Sequence, residues 1–180
     1  IYLRRFLTVL TALVVLVLTA LPAQASWMVP GLPNRPKDFA FIKHDGLYHL
    51  FYIRHNMDRS SDSTETDLGH AISADLWNWI QAPPVLAVRD TNWDRSHVWA
   101  PSIVEKDGVF TLFYTGVSTV PGQSSGWQRT GVATSTDLFE WTRLDAPVFA
   151  CTAVPWTVCD STRSTTAFRD PFVMPDPAHP

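Results

Sequence analysis

Lysine and arginine form no cluster in this chain, and acidic side chains outnumber them, 17 against 14 over 180 residues. A nucleic-acid partner needs a basic face to neutralise phosphates, so none is expected. Cysteine is nearly missing. Cys151 and Cys159 are the two present, and no histidine or third cysteine joins them at ligand spacing. A metal centre is therefore not expected. The six histidines are scattered, with no H-E-x-x-H pair. There is no G-x-S-x-G elbow and no phosphate loop, and nothing calls for a cofactor. Helical periodicity is also lacking between residues 42 and 141, where short alternating runs and turn residues follow one another. Disorder is excluded by the abundance of Trp, Phe and Tyr.

Long apolar runs are absent beyond residue 21. The single one, FLTVLTALVVLVLTAL (6–21), follows Arg4 and Arg5 and ends in PAQA, with small residues at Ala23 and Ala25. That order reads as a secretory signal peptide over residues 1–25, cut after Ala25. A retained membrane anchor is the alternative, but the run is shorter than the roughly 20 residues a spanning helix needs. A secreted or periplasmic product without membrane attachment is expected. Removing Arg4 and Arg5 leaves 12 basic against 17 acidic side chains, formally -5. In an oxidising compartment Cys151 and Cys159 are expected to form a local disulfide, two buried thiols being the alternative.

What is present is a repeat. IKHDGLYHLFYIR (42–54) and VEKDGVFTLFYTGV (104–117) each place an Asp-Gly turn before an alternating aromatic strand. GHAISADLWNW (69–79) matches GVATSTDLFEW (131–141), and both pairs are offset by 62 residues. Four short strands per unit suit a propeller blade better than a sandwich, which does not require its strands to recur as a block. Trp79 and Trp141 are expected in the blade core. Asp45, Asp107, Asp75 and Asp137 are expected in turns. The polar stretches 54–67 and 118–129 read largely as solvated linker at one rim.

The same offset sets Asp38-Phe39 on Ala100-Pro101, and Asp170-Pro171 in FRDPFV (168–173) follows the Ala100-Pro101 pattern. Innermost strands starting there bring Asp38 and Asp170 towards a common axis, with Pro171 tolerated at a strand's first residue and Phe168 and Phe172 packed. Two carboxylates in an aromatic-rimmed cavity suit work on a glycosidic bond. Arg169 can hold an aspartate ionised and bind sugar hydroxyls. Trp99, Trp93 or Trp27 can stack on sugar rings. Asp94, with Asp90 and Arg95, is a further candidate for the cavity. Lys37 either pairs with Asp38 or faces solvent.

Taken together, KDFAFIKHDGLYHLFY, GHAISADLWNW, HVWAPSIVEKDG, FYTG and FRDP resemble the five-bladed propeller glycoside hydrolases. The resemblance covers residues 27 to 176. It is to family 32, the invertases and fructanases, with features of family 43, the arabinanases and xylosidases. It implies an all-β, five-bladed propeller, of which residues 26–180 supply the N-terminal part, about two blades and the start of a third. It implies an enzyme acting on a carbohydrate, fructan- or sucrose-like or arabinan- or xylan-like. Asp38 matches the nucleophile of family 32 and the general base of family 43. Asp170 matches the carboxylate that stabilises the transition state and binds sugar hydroxyls. The proton donor implied by the family is a glutamate with no match before Pro180. At Pro36-Lys37-Asp38-Phe39-Ala40 the sequence departs from the Asn-Asp-Pro-Asn-Gly of family 32. A noncatalytic carbohydrate-binding propeller, or a purely structural one, is the other reading.

Overall fold

The computed structural model describes residues 29, 31–33, 35–55, 64–118, 126–159 and 167–178. The segment read as a signal peptide, and Trp27, lie outside the described residues. Two antiparallel sheets account for the regular structure. The first is β1 (Arg35–His44), β2 (Leu47–His55), β3 (Asp67–Ser73) and β4 (Ile80–Ala87), in that order. The second is β5 (His97–Lys106), β6 (Val109–Ser118), β7 (Trp127–Ser135) and β8 (Thr142–Arg143), with β9 (Phe149–Ala150) also pairing with β7. The strand order follows the chain, as in a meander, and among the described residues no helix crosses over.

Each sheet is one copy of the repeat. The first hairpin turns at Asp45-Gly46 and the second at Asp107-Gly108, with φ of 48° and 82°, then 54° and 78°. Two consecutive positive φ angles match the right-handed twist of the flanking strands, and the Asp-Gly pair adopts them at little cost. In β2, Leu50 and Tyr52 face one way and Phe51 and Ile53 the other, and all four are buried. A strand covered on both faces belongs to the middle of a layered structure. Phe51, Ile53, Leu68 and Leu86 of the first sheet share one core with Val98, Phe110, Leu112, Tyr114, Ala133 and Leu138 of the second. Trp141 packs on this core and Trp79 on a smaller one around Leu32 and Tyr52.

The turn between the third and fourth strands repeats atom for atom. Ser73 Oγ accepts the N–H groups of Asp75 and Leu76, and Asp75 Oδ1 accepts those of Trp77 and Asn78. Ser135 and Asp137 make the same four bonds to Asp137, Leu138, Phe139 and Glu140. These bonds, led by those from Asn78 and Glu140, hold both aspartates below the usual carboxylate range. The indoles of Trp79 and Trp141 close each turn by donating to the carbonyls of Leu76 and Leu138. Fourth strands are where the copies differ. β4 breaks register between Leu86 and Ala82, around Pro83 and Pro84, which have no N–H to give. In the second copy the corresponding strand splits into β8 and β9 around Pro147.

A histidine pair is buried where the sheets meet. His49 Nδ1 and His70 Nε2 are 3.0 Å apart, and Phe51 and Phe139 pack on the His70 ring. Burial, aided by His49, pushes His70 down to about 4. Unfolded, the same imidazole takes its proton near pH 6.5. The unfolded state therefore binds more protons as pH falls from 6.5 towards 4, and stability drops over that window. The full loss is about 3 kcal/mol at 1.36 kcal/mol per pH unit. Urea unfolding at pH 7 and pH 4.5 is expected to show a larger loss for the wild type than for His70→Gln. Equal losses would show that the ring is already protonated in the fold.

Candidate active site

β1 and β5 are the first strands of their sheets, and they pack beside each other. Each carries a bulge at the position predicted to face the axis. In β1 the pairing jumps from Lys37↔Ile53 to Phe39↔Tyr52, leaving Asp38 as the extra residue. In β5 it jumps from Trp99↔Thr115 to Ser102↔Phe113, across Ala100-Pro101. Asp38 has φ 40°, Ala100 46° and Asp170 60°. A non-glycine residue at positive φ is uncommon and is best tolerated by Asp and Asn. Three left-handed residues thus recur at the three places the repeat aligns. A bulge re-aims the side chain it carries.

Asp38, Asp170, Arg169, Trp99 and Lys37 line one cavity of about 300 Å3. Four of the candidates drawn from the sequence therefore meet. Arg169 Nε lies 3.3 Å from Asp170 Oδ2, and both side chains are exposed to the cavity and solvent. Trp99 is fixed by His97, whose ring stacks on the indole at 4.8 Å. Residues 167–178 form no strand, contrary to the expectation for FRDPFV. The backbone N–H of Asp170 donates to Thr115 Oγ1 at 3.0 Å and that of Val173 to Ser102 Oγ at 3.1 Å. A strand needs a ladder partner for these groups; here side chains of β6 and β5 take them and dock the segment. Phe172 is 85 % exposed, so the expected packing holds for the half-buried Phe168 and not for Phe172.

Two candidates lie elsewhere. Asp94 is fully enclosed within the second sheet, away from the cavity lining. Its carboxylate accepts bonds from Arg89 Nε (2.9 Å), Tyr114 Oη (2.9 Å) and an Arg143 guanidinium nitrogen (2.8 Å). Burial pushes its carboxyl up, but those three bonds outweigh burial and hold it below the usual range. Such a group is enclosed by its partners and out of reach of a sugar. Trp93 stacks on Tyr114 at 5.9 Å and donates its indole N–H to the carbonyl of Asp145. It belongs to the same structural hub. Cys151 and Cys159 are joined in a disulfide. Among the described residues no group of His, Cys, Asp or Glu is arranged to hold a metal ion.

One cluster beside the cavity was not anticipated. Glu65 lies in the stretch read as solvated linker, yet it is fully buried. Its Oε1 takes Lys37 Nζ at 2.9 Å and His55 Nδ1 at 2.8 Å. Lys37 therefore pairs with Glu65, neither of the two expected alternatives. A lone Glu in a polar loop carries no periodic signal, so sequence pattern could not have found it.

Residues 29–178 match the family model described as "Glycosyl hydrolases family 32 N-terminal domain". The chain is 38% identical over 101 residues to the sucrose-6-phosphate hydrolase of Klebsiella pneumoniae, covering 56% of this chain and 21% of that protein. It is 34% identical over 142 residues to beta-fructofuranosidase 1 of Zea mays, covering 77% and 19%. The chain thus spans about a fifth of the length of these curated relatives. Among solved structures, the Bombyx mori GH32 beta-fructofuranosidase superposes with a TM-score of 0.61 at 23% identity, over 79% of this chain and 28% of that one. The GH43_1 enzyme from Xanthomonas citri, complexed with xylose, gives 0.54 at 18%, over 66% and 35%. The fold is that of the propeller glycoside hydrolases, and the two sheets are two of its blades.

Proposed function

Because this chain belongs to glycosyl hydrolase family 32 through the N-terminal domain, we propose that the complete protein hydrolyses O-glycosidic bonds of sucrose- or fructan-like sugars. One observation carries the reading. At three equivalent left-handed positions the residues are Asp38, Ala100 and Asp170. Ala100 adopts the conformation without an acid, so the backbone does not require a carboxylate there. The two carboxylates occupy the positions that line the cavity. Their chemistry, not the fold, accounts for them.

In this reading the Asp38 carboxylate attacks the anomeric carbon, the glycosidic C–O bond breaks, and a glycosyl-enzyme ester forms that water then cleaves. Asp170 stabilises the positive charge developing on the ring and accepts bonds from sugar hydroxyls. Arg169 lies beside Asp170 and can bind sugar hydroxyls with it, and Trp99 supplies an apolar wall. The departing oxygen needs a proton, and among the described residues lining this cavity there is no third carboxyl group. The donor therefore comes from outside this lining. The disulfide supports an exported protein, since such bonds persist in oxidising compartments. Among the described residues no helix is long and apolar enough to cross a membrane.

The test is sugar release by the complete protein from sucrose, inulin, arabinan and xylan oligosaccharides. Hydrolysis of sucrose or inulin is the expected result. Cleavage of arabinan or xylan alone would move the substrate class, and binding without turnover would leave a carbohydrate-binding propeller. The Lys37 flank of Asp38 is the feature that favours that second reading.

A further inference from the structure

We infer that Glu65 is a positioning residue that holds the Lys37 ammonium away from Asp38 and so keeps the attacking carboxylate unpaired. The inference rests on the hydrolase reading above, in which Asp38 reacts. Lys37 and Asp38 are consecutive, and the bulge in β1 turns both towards the same cavity. Among the described residues, a flexible lysine stem at that place has Asp38, its exposed neighbour, beside it in sequence and Glu65, in the segment that leads into β3, as its ion-pair partner. A lysine paired with Asp38 would occupy the oxygens needed for attack and lower their nucleophilicity.

Glu65 wins that competition for physical reasons. Its side chain is 0% exposed while that of Lys37 is 41% exposed. A pair with a buried carboxylate is screened by solvent less than one with an exposed aspartate. The carboxylate is also fixed in place. His55 Nδ1 bonds the same Oε1 at 2.8 Å, and His97 Nδ1 lies 3.3 Å from the Glu65 carbonyl. Oε2 is buried without a hydrogen-bond partner among the described residues. A rigid anion of this kind exceeds what a surface loop needs, and its position beside the cavity accounts for it. His97 stacks on Trp99, so the cluster also braces the indole wall.

The test is a double-variant cycle in the complete protein, with sucrose as the probe. Glu65→Gln keeps the shape but removes the charge that holds the lysine. It is expected to lower kcat at least about tenfold while KM stays within about twofold. Adding Lys37→Met removes the competing cation, and the double variant is expected to regain most of the lost kcat. A double variant no faster than Glu65→Gln alone, or a Glu65→Gln with unchanged kcat, overturns the inference. A crystal structure of Glu65→Gln gives an answer that does not depend on turnover. The Lys37 ammonium is expected within about 4 Å of the Asp38 carboxylate. If it stays on the substituted side chain the inference fails. If the wild type cleaves none of sucrose, inulin, arabinan and xylan oligosaccharides but the lysine moves as expected, the hydrolase reading fails and the positioning geometry stands.

Discussion

Asp38→Asn in the complete protein is expected to lower kcat for sugar hydrolysis by at least about a thousandfold, with sugar binding retained. Asparagine is the informative replacement. It has nearly the size of aspartate and shares its tolerance of the left-handed region, so the bulge with φ 40° at this position survives. What is lost is the negative charge and with it the nucleophile. Initial rates on sucrose, paired with calorimetric titration of the sugar, separate the two effects. Turnover within about tenfold of the wild type would remove Asp38 from the chemistry. Loss of sugar binding together with turnover would instead assign Asp38 to holding substrate. Ala100 sharpens the comparison, because it takes φ 46° with no polar side chain.

The second large effect is on stability. Asp94→Asn is expected to cost about 3 kcal/mol or more, because it leaves charged guanidinium groups without their buried counter-ion. Arg89 and Arg143 both bond that carboxylate, and Arg143 is only 11% exposed. Asparagine leaves one acceptor oxygen in place of two, for which Tyr114 and the two arginines would compete. For a domain of this size each kcal/mol moves Tm by roughly 2–4 °C, so a fall of about 10 °C should appear in calorimetry. A shift under about 3 °C would mean that the arginines escape to solvent and the hub is weak. Asp145→Asn is the control: its side chain is 99% exposed and 3.4 Å from Arg89. Exposed pairs contribute little, so no measurable change is expected there. The two aspartates differ in surroundings, not in chemistry.

Placement of the charged residues was the hard part to read from sequence. Asp38 was legible because the 62-residue offset of the repeat sets it on Ala100, and Asp170 because its Asp-Pro step repeats the Ala100-Pro101 pattern. Asp94 was not, because RDTNWDRSHVW leads to the axis in sequence while its aspartate turns back beneath Tyr114. Glu65 was read as solvated because its neighbours are polar. Its burial comes from Lys37 and His55, which belong to other strands. Phe172 shows the opposite error, an aromatic expected to pack that is left exposed.

Local signals determined the local structure. The Asp-Gly hairpins, the Ser-x-Asp-Leu turns, the closing tryptophans and the alternation in β2 each depend on residues a few positions apart. Their backbone angles and hydrogen bonds follow from those residues alone. The tertiary structure decided which carboxylates are locked in ion networks and where Lys37 puts its charge. These outcomes depend on groups from different strands meeting in a low-dielectric interior, where one guanidinium or imidazole within 3 Å fixes the role of a carboxylate. Spacing along the chain carries no record of such meetings.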